Sequence, residues 1–353
     1  MLDDTALNVP FWVWAATIAI LIGVIALDLF ISRKPHVPSL REATVWSLVY
    51  IGAAVVFGIG LVFVANGQVS AEFFGGYVTE KALSVDNLFV FVIIMSAFAV
   101  PPEYQHRVLM FGIILALMLR GLFIAAGAAA IERFSEVFYL FGAFLIYTAV
   151  KLARHRGEQP DLEKNGVIRF AERRLSTTRE YDGPKLRTTV AGRRVFTPMV
   201  IVLVAIGTTD VLFALDSIPA IFGITQEAYL VFTANAFALM GLRQLYFLVN
   251  GLLDRLVYLS IGLSVVLGFI GIKLILHALH ENGIDLGFVG EGAWSLLPEI
   301  GIGTSLVFIG VTLAVTTVAS LAKVRRDPDA VKHIGDHLQP DERLSEIPED
   351  TRS

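Results

Sequence analysis

A chain of 353 residues that is 55% hydrophobic, only 17% charged and has a mean hydropathy of +0.69 is composed for a lipid solvent. Its formal charge of −4 is too small to imply nucleic-acid binding. The absence of cysteine excludes disulfides, thiolate metal sites and iron–sulfur clusters, and leaves only nitrogen and oxygen ligands.

Apolar runs of the roughly 20 residues that a span requires recur at about 12–31, 44–65, 71–98, 107–129, 135–153, 197–223, 228–249, 256–279 and 302–322. They predict an all-α polytopic membrane protein of about nine transmembrane helices. The first run follows the acidic segment MLDDTALN and no small-x-small cleavage site follows it, so it is expected to be retained. Residues 1–70 then hold helices 1 and 2, 280–301 form an outer loop, and 302–322 form the last span. Between the fifth and sixth runs, 154–196 is a basic insert in which GVIRFAERRL reads as a short surface helix. The segment KLRTTVAGRRVFTP reads as a hairpin turning at Ala191-Gly192. The tail, 323–353, is rich in Pro, Asp and Glu from about 327 and is expected to be disordered.

Lys and Arg collect in three stretches: Arg33, Lys34 and Arg41; eleven residues of the insert; and Lys323, Arg325 and Arg326. With nine spans all three fall on one side, which the positive-inside rule makes cytoplasmic. The opposite loops lean acidic, from Asp3 and Asp4 to Glu281, Asp285, Glu291 and Glu299. The expected topology is N-terminus out and C-terminus in, in the cell inner (plasma) membrane.

Against this background four acids stand out. Glu80 and Asp86 lie six residues apart in the third run, and Asp210 and Asp216 repeat that spacing in the sixth. A carboxylate at bilayer depth costs at least about 2.5–3.5 kcal/mol on insertion scales, and such residues mark functional sites by default. The repetition extends further. ALMLRGLF with Arg120 follows the first pair, and ALMGLRQLYF with Arg243 follows the second. Glu132 precedes Lys151, and Asp254 precedes Lys273, by the same 19 residues. Each unit, 71–153 and 197–279, holds three spans. An odd number forces opposite orientations, which predicts two inverted three-helix repeats.

On a straight helix, residues six apart differ by about 240°. Either the two acids of a pair face different partners, or the helix is broken beside them, with Gly75-Gly76, Gly207 and Pro219 as candidate breaks. Ser84, Asn87, Thr209 and Ser217 add neutral oxygens nearby. An oxygen-only site with several carboxylates suits Mg²⁺, Ca²⁺ or Mn²⁺. The competing reading is structural ion pairing: Glu80 with Lys81, or Asp86 and Asp216 with Arg120 and Arg243. A mixed reading has Arg120 and Arg243 hold the acids until a cation exchanges for them. Glu72, near the outer end of the third span, is either an exit-side ligand or an interfacial carboxylate. Asp28 is expected at the interface beside Arg33 and Lys34, and Asn235 either lines the path or makes an interhelical hydrogen bond. His277, His280, His333 and His337 read as exposed side chains.

EKALSVDNLFVF and TTDVLFALDSIPAIF resemble the two signature segments of the TerC family of integral membrane proteins, Alx-type members included. The design is more distantly similar to the LysE transporter superfamily. The resemblance covers roughly residues 10–322. It implies a divalent-metal exporter with manganese as cargo and tellurium resistance as the historical label. The family's acidic positions carry over to Glu80, Asp86, Asp210 and Asp216, with Asn87 and Ser217 as matching neighbours. The expected protein is therefore no enzyme and holds no cofactor. Its partners are the lipid bilayer and Mn²⁺, which it exports through an intramembrane carboxylate site, with proton antiport as the coupling. The alternative is a membrane scaffold in a metal- or tellurite-stress or secretion-associated complex, engaging other proteins through 154–196.

Overall fold

The computed structural model of the chain describes residues 9–31, 39–134, 136–154, 170, 177–178, 181–183, 185–190, 193–249, 256–282 and 300–327. In chain order the described elements are α1 (Phe11–Ile31), α2 (Leu40–Val64), α3 (Gly67–Ala97), α4 (Pro102–Arg133) and α5 (Val137–Arg154). A hairpin of β1 (Arg187–Val190) and β2 (Arg193–Phe196) follows. The second half holds α6 (Pro198–Phe222), α7 (Ala228–Leu239), α8 (Leu242–Val249), α9 (Leu259–Asn282) and α10 (Ile302–Arg326).

The helix starts carry ordinary local signals. The Ser39 hydroxyl accepts from the Glu42 amide at 3.2 Å, and the Asn66 side chain accepts from the Val69 amide at 2.9 Å. Pro102 and Pro198 occupy first-turn positions of α4 and α6, where a missing N–H costs nothing. Among the described residues, seven helices (α1, α2, α4, α5, α6, α9 and α10) are long and apolar enough to cross a membrane. The chain is thus an all-α, multi-pass membrane protein. Outward-facing apolar side chains such as Trp12, Phe63, Val307 and Val318 are exposed, as a lipid solvent requires.

Two expected spans are built differently from the others. α3 runs 31 residues without a break but carries Glu72, Glu80, Lys81 and Asp86. The seventh run is no continuous helix: it divides into α7 and α8 at Met240 and Gly241, and Gly241 has φ +85°. The glycines and proline near the acids break neither α3 nor α6; Pro219 falls in the last turn of α6.

Close contacts fix the helix register. A Cβ on Gly76 would lie 3.2 Å from Ala234 and 3.1 Å from Ile221, and Lys81 reaches the Ala238 carbonyl, so α3 runs parallel to α7 and antiparallel to α6. Gly112 lies against Ile206, Gly207 against Leu115 and Gly127 against Phe222, so α4 runs parallel to α6. α5 packs along α9 at a crossing of bare backbones: a Cβ on Gly142 would stand 2.8 Å from the Gly271 carbonyl oxygen. Small residues of this kind are what let membrane helices approach closely.

In the insert, Val190 stands opposite Arg193 in an antiparallel ladder, so the expected hairpin is present, with its turn residues outside the described set. The expected surface helix lies outside the described residues except for Phe170. The tail beyond Asp327 and the 283–299 segment also lie outside them. The Tyr181 hydroxyl donates to the Phe98 carbonyl at 2.7 Å and so ties the insert to the α3–α4 connection.

A buried carboxylate–guanidinium cluster

The i, i+4, i+7 spacing of Glu80, Ser84 and Asn87 places them on one face of α3, and the i, i+7 spacing of Asp210 and Ser217 does the same on α6. Both faces meet Arg120 of α4. Its Nη1 donates to Glu80 Oε1 and, at 3.3 Å, to Ser217 Oγ. Its Nη2 donates to Asp210 Oδ1 at 3.2 Å. With its amide turned to satisfy both ends, Asn87 accepts from Arg120 Nη2 at 3.1 Å and donates to the Leu83 carbonyl at 3.1 Å. Ser84 donates to Glu80 at 3.3 Å.

Arg120 and Glu80 are 0% exposed and Asp210 is 2% exposed. Two acids thus share one guanidinium away from water. Glu80 Oε2, Asp210 Oδ2 and Arg120 Nε find no hydrogen-bond partner among the described residues. Buried polar atoms are normally satisfied, so the two spare carboxylate oxygens are an unfilled capacity for a proton or a metal cation. The donor set, two carboxylates plus hydroxyl and amide oxygens, is hard and suits Mg²⁺, Ca²⁺ or Mn²⁺. A cavity of about 370 Å³ between α4, α5 and α6 is lined by apolar side chains, and none of the acids is among its lining residues.

The second acid of the α6 pair takes a different partner. Asp216 accepts from Thr148 of α5 at 3.1 Å, as the 240° offset from Asp210 requires. Asp86 is on α3, and its side chain lies outside the described set. Among the described residues no group of three or more His, Asp or Glu side chains is placed to share a metal. The cluster therefore gathers Glu80, Asn87, Asp210 and Ser217, while Asp216 stands apart from it.

The remaining polar residues divide by depth. Lys81 donates to the Ala238 carbonyl at 3.1 Å, at the C-terminus of α7. Arg243 donates to Asp28 of α1 at 2.6 Å and lies 3.4 Å from His106 of α4. Asp28 is thus an interhelical partner where an interfacial residue beside Arg33 and Lys34 was expected; Arg33 and Lys34 lie outside the described residues. Neither His106 nor Thr148 stands out in the sequence, because nothing local distinguishes a partnered polar side chain from a solvated one. Glu72 accepts from Thr225 at 2.7 Å and from Gln68 at 3.1 Å, next to the α6–α7 turn.

Outside the spans, Asp182 is held below the usual carboxylate range by hydrogen bonds from Thr188 and Lys185. Burial pushes the Tyr181 phenol up to about 12, so it remains a donor to Phe98 at any physiological pH.

The model of the TerC family of integral membrane proteins matches residues 65–328, which include both acidic pairs and Arg120. This chain belongs to the TerC family. It is 48% identical over 318 residues to an uncharacterised membrane protein of Mycobacterium tuberculosis, covering 89% of this chain and 80% of that one. A Salmonella typhi relative whose name, Alx, labels it a candidate membrane-bound redox modulator is 35% identical over 289 residues, 78% of this chain and 89% of its own. The thylakoid membrane protein TERC of Arabidopsis thaliana is 42% identical over 226 residues, 64% of this chain and 59% of its own. No solved structure matches this TerC protein.

Proposed function

We propose that this TerC protein exports a divalent cation, Mn²⁺, from the cytoplasm across the cell membrane. The observation that carries the reading is the buried Glu80–Arg120–Asp210 cluster, in which two acids share one guanidinium and two carboxylate oxygens have no partner among the described residues. In the cation-free state Arg120 pairs with both acids. An arriving Mn²⁺ displaces the guanidinium and takes ligands from Glu80, Asp210, Asn87 and Ser217, with Asp86 and Asp216 as the further acids of the path. Glu72 acts on the exit side, and Lys81 and Arg243 hold the inner helices closed.

Export against an inside-negative potential is uphill by about 2.3 kcal/mol per charge per 100 mV, and so by about 4.6 kcal/mol for a divalent ion. A channel would run the wrong way, so export requires coupling. Protons arriving from outside at the same carboxylates supply it, with Arg120 returning as the metal leaves. The nine-span topology with N-terminus out follows from counting α3 and the broken α7–α8 as spans and from the basic stretches on one side. The packing supports two inverted units: exchanging α3 with α6, α4 with α7 and α5 with α9 maps the observed helix contacts α3–α7 and α4–α6 onto each other.

The redox label of the Alx relatives has no thiol to act through here, since this chain contains no cysteine. The protein is a transporter in this reading and not an enzyme. The test is Mn²⁺ efflux from proteoliposomes with Glu80→Gln and Asp210→Asn. Loss of efflux in both at normal protein levels is expected. Unchanged efflux would return the cluster to a structural role. Loss of function on deleting the insert alone would favour a scaffold.

A further inference from the structure

Asn235 is the one fully buried side chain of α7 whose two polar atoms both lack a hydrogen-bond partner among the described residues; it is 1% exposed. An amide placed so deep without an interhelical bond does not serve as packing glue. Its position explains what it serves instead. Val231, one turn earlier on the same face of α7, belongs to the apolar cluster of Ile124 from α4 and Ile218 and Ile221 from α6. Asn235 follows on that face.

The register sets its depth. α3 and α7 run parallel, with Gly76 level with Ala234 and Lys81 level with Ala238. Asn235 is therefore level with residues 77–78 of α3, about 4 Å from the level of Glu80 at 1.5 Å per residue. Along the α3 axis its level precedes Glu80, whereas the other Arg120 partners, Asn87 and Asp210, lie in the opposite direction along α3 and α6. Glu80 Oε1 is taken by Arg120 and Ser84, and Oε2 is the free oxygen.

We propose that Asn235 is a ligand of the transported divalent cation, completing with Glu80 Oε2 the half of the site that faces α7 and opposite the half that Arg120 occupies. This rests on the export reading and deepens it. The amide oxygen takes one coordination position of a hard cation on entry. Because it carries no charge, it holds the ion without adding a third acid beside Arg120. The cation then passes between Arg120 on one flank of Glu80 and Asn235 on the other.

The experiment uses the full chain in proteoliposomes, with Mn²⁺ efflux measured as a function of Mn²⁺ concentration and thermal melting measured in parallel. Asn235→Leu keeps the volume and removes both polar atoms. Its half-saturating concentration is expected to rise about tenfold or more, with melting unchanged or raised, since no hydrogen bond is lost. Asn235→Ser keeps an uncharged oxygen ligand and is expected to stay closer to the wild-type half-saturation than Asn235→Leu. Wild-type half-saturation in Asn235→Leu would overturn the assignment, as would a fall in melting temperature with half-saturation unchanged in the surviving protein. Glu80→Gln run alongside separates the two levels. If it abolishes efflux while Asn235→Leu is neutral, only the Asn235 ligand fails. If neither variant matters, the export reading fails with it.

Discussion

The two halves of this protein carry the same local motif and use it differently. In the first half, ALMLR lies within the unbroken α4, and Arg120 reaches inward to Glu80 and Asp210. In the second half the motif reads ALMGLR, with one extra residue, and that residue is Gly241 at φ +85°. The helix ends at Leu239 and restarts at Leu242, and Arg243 turns to Asp28 on α1. An inserted residue rotates everything after it by about 100° in a continuous helix; here the left-handed glycine absorbs the insertion as a break. The carbonyl that the break frees, that of Ala238, is taken by Lys81, next to Glu80 in sequence. The half without the extra residue has a central counter-charge, and the half with it has a helix break whose arginine pairs with α1.

The sharpest way to break the comparison is to remove the two arginines in turn. Arg120→Met leaves two uncompensated carboxylates at 0% and 2% exposure, and breaking a buried pair of this kind costs about 3–5 kcal/mol. Arg243→Met removes a charged hydrogen bond from Asp28, which is 15% exposed, and the expected loss is smaller, about 1.5–3 kcal/mol. Denaturation in detergent with matched denaturant slopes reads both. Equal losses would mean that the two arginines play equivalent parts and that the asymmetry drawn from the insertion is wrong.

Gly241 itself is the next lever. A Cβ there would meet Tyr50 at 3.1 Å and would sit in a left-handed conformation that costs about 1–2 kcal/mol for an ordinary residue. Gly241→Ala is expected to lose that much stability and to loosen the Arg243–Asp28 pair, so the cost of Arg243→Met should shrink in its presence. A double-mutant cycle measures this coupling. Additive losses would show that the break and the ion pair are independent.

Much of the site is legible in the sequence, and the reasons are local. The i, i+7 partners Asp210 and Ser217, the 240° offset that sends Asp216 to Thr148, and the hairpin around residues 191–192 all follow from helix and strand geometry along a continuous stretch. The competing ion-pair reading named other pairs than the structure shows: Arg120 holds Glu80 and Asp210, Lys81 donates to the Ala238 carbonyl, and Arg243 pairs with Asp28. Which two acids an arginine holds is not readable: the six-residue spacing says nothing about whether an arginine on a third helix lies beside the first or the second acid of each pair. Asp28 and Arg243 meet across 215 residues, and no local pattern encodes that contact. Gly241 is visible as an extra letter in the repeat. Its meaning depends on a φ angle that glycine permits and does not impose.

The segment joining the halves offers the mildest test. Asp182 accepts from Thr188 at 2.7 Å and from Lys185 at 3.1 Å, and these bonds hold its carboxyl below the usual range of about 3.9. A depressed carboxylate contributes above its unfolded pKa and loses that contribution as pH falls through its folded value. The start of the hairpin should therefore be unchanged from neutral pH down to about pH 4 and loosen only below it. Tyr181, one residue earlier, keeps its proton and its bond to Phe98 throughout that range. Amide exchange across residues 185–196 as a function of pH reads the difference. If protection fell between pH 7 and 5, a group other than Asp182 would govern the hairpin. If it persisted well below about pH 4, the Tyr181 contact and the β1–β2 ladder would hold the hairpin without the carboxylate.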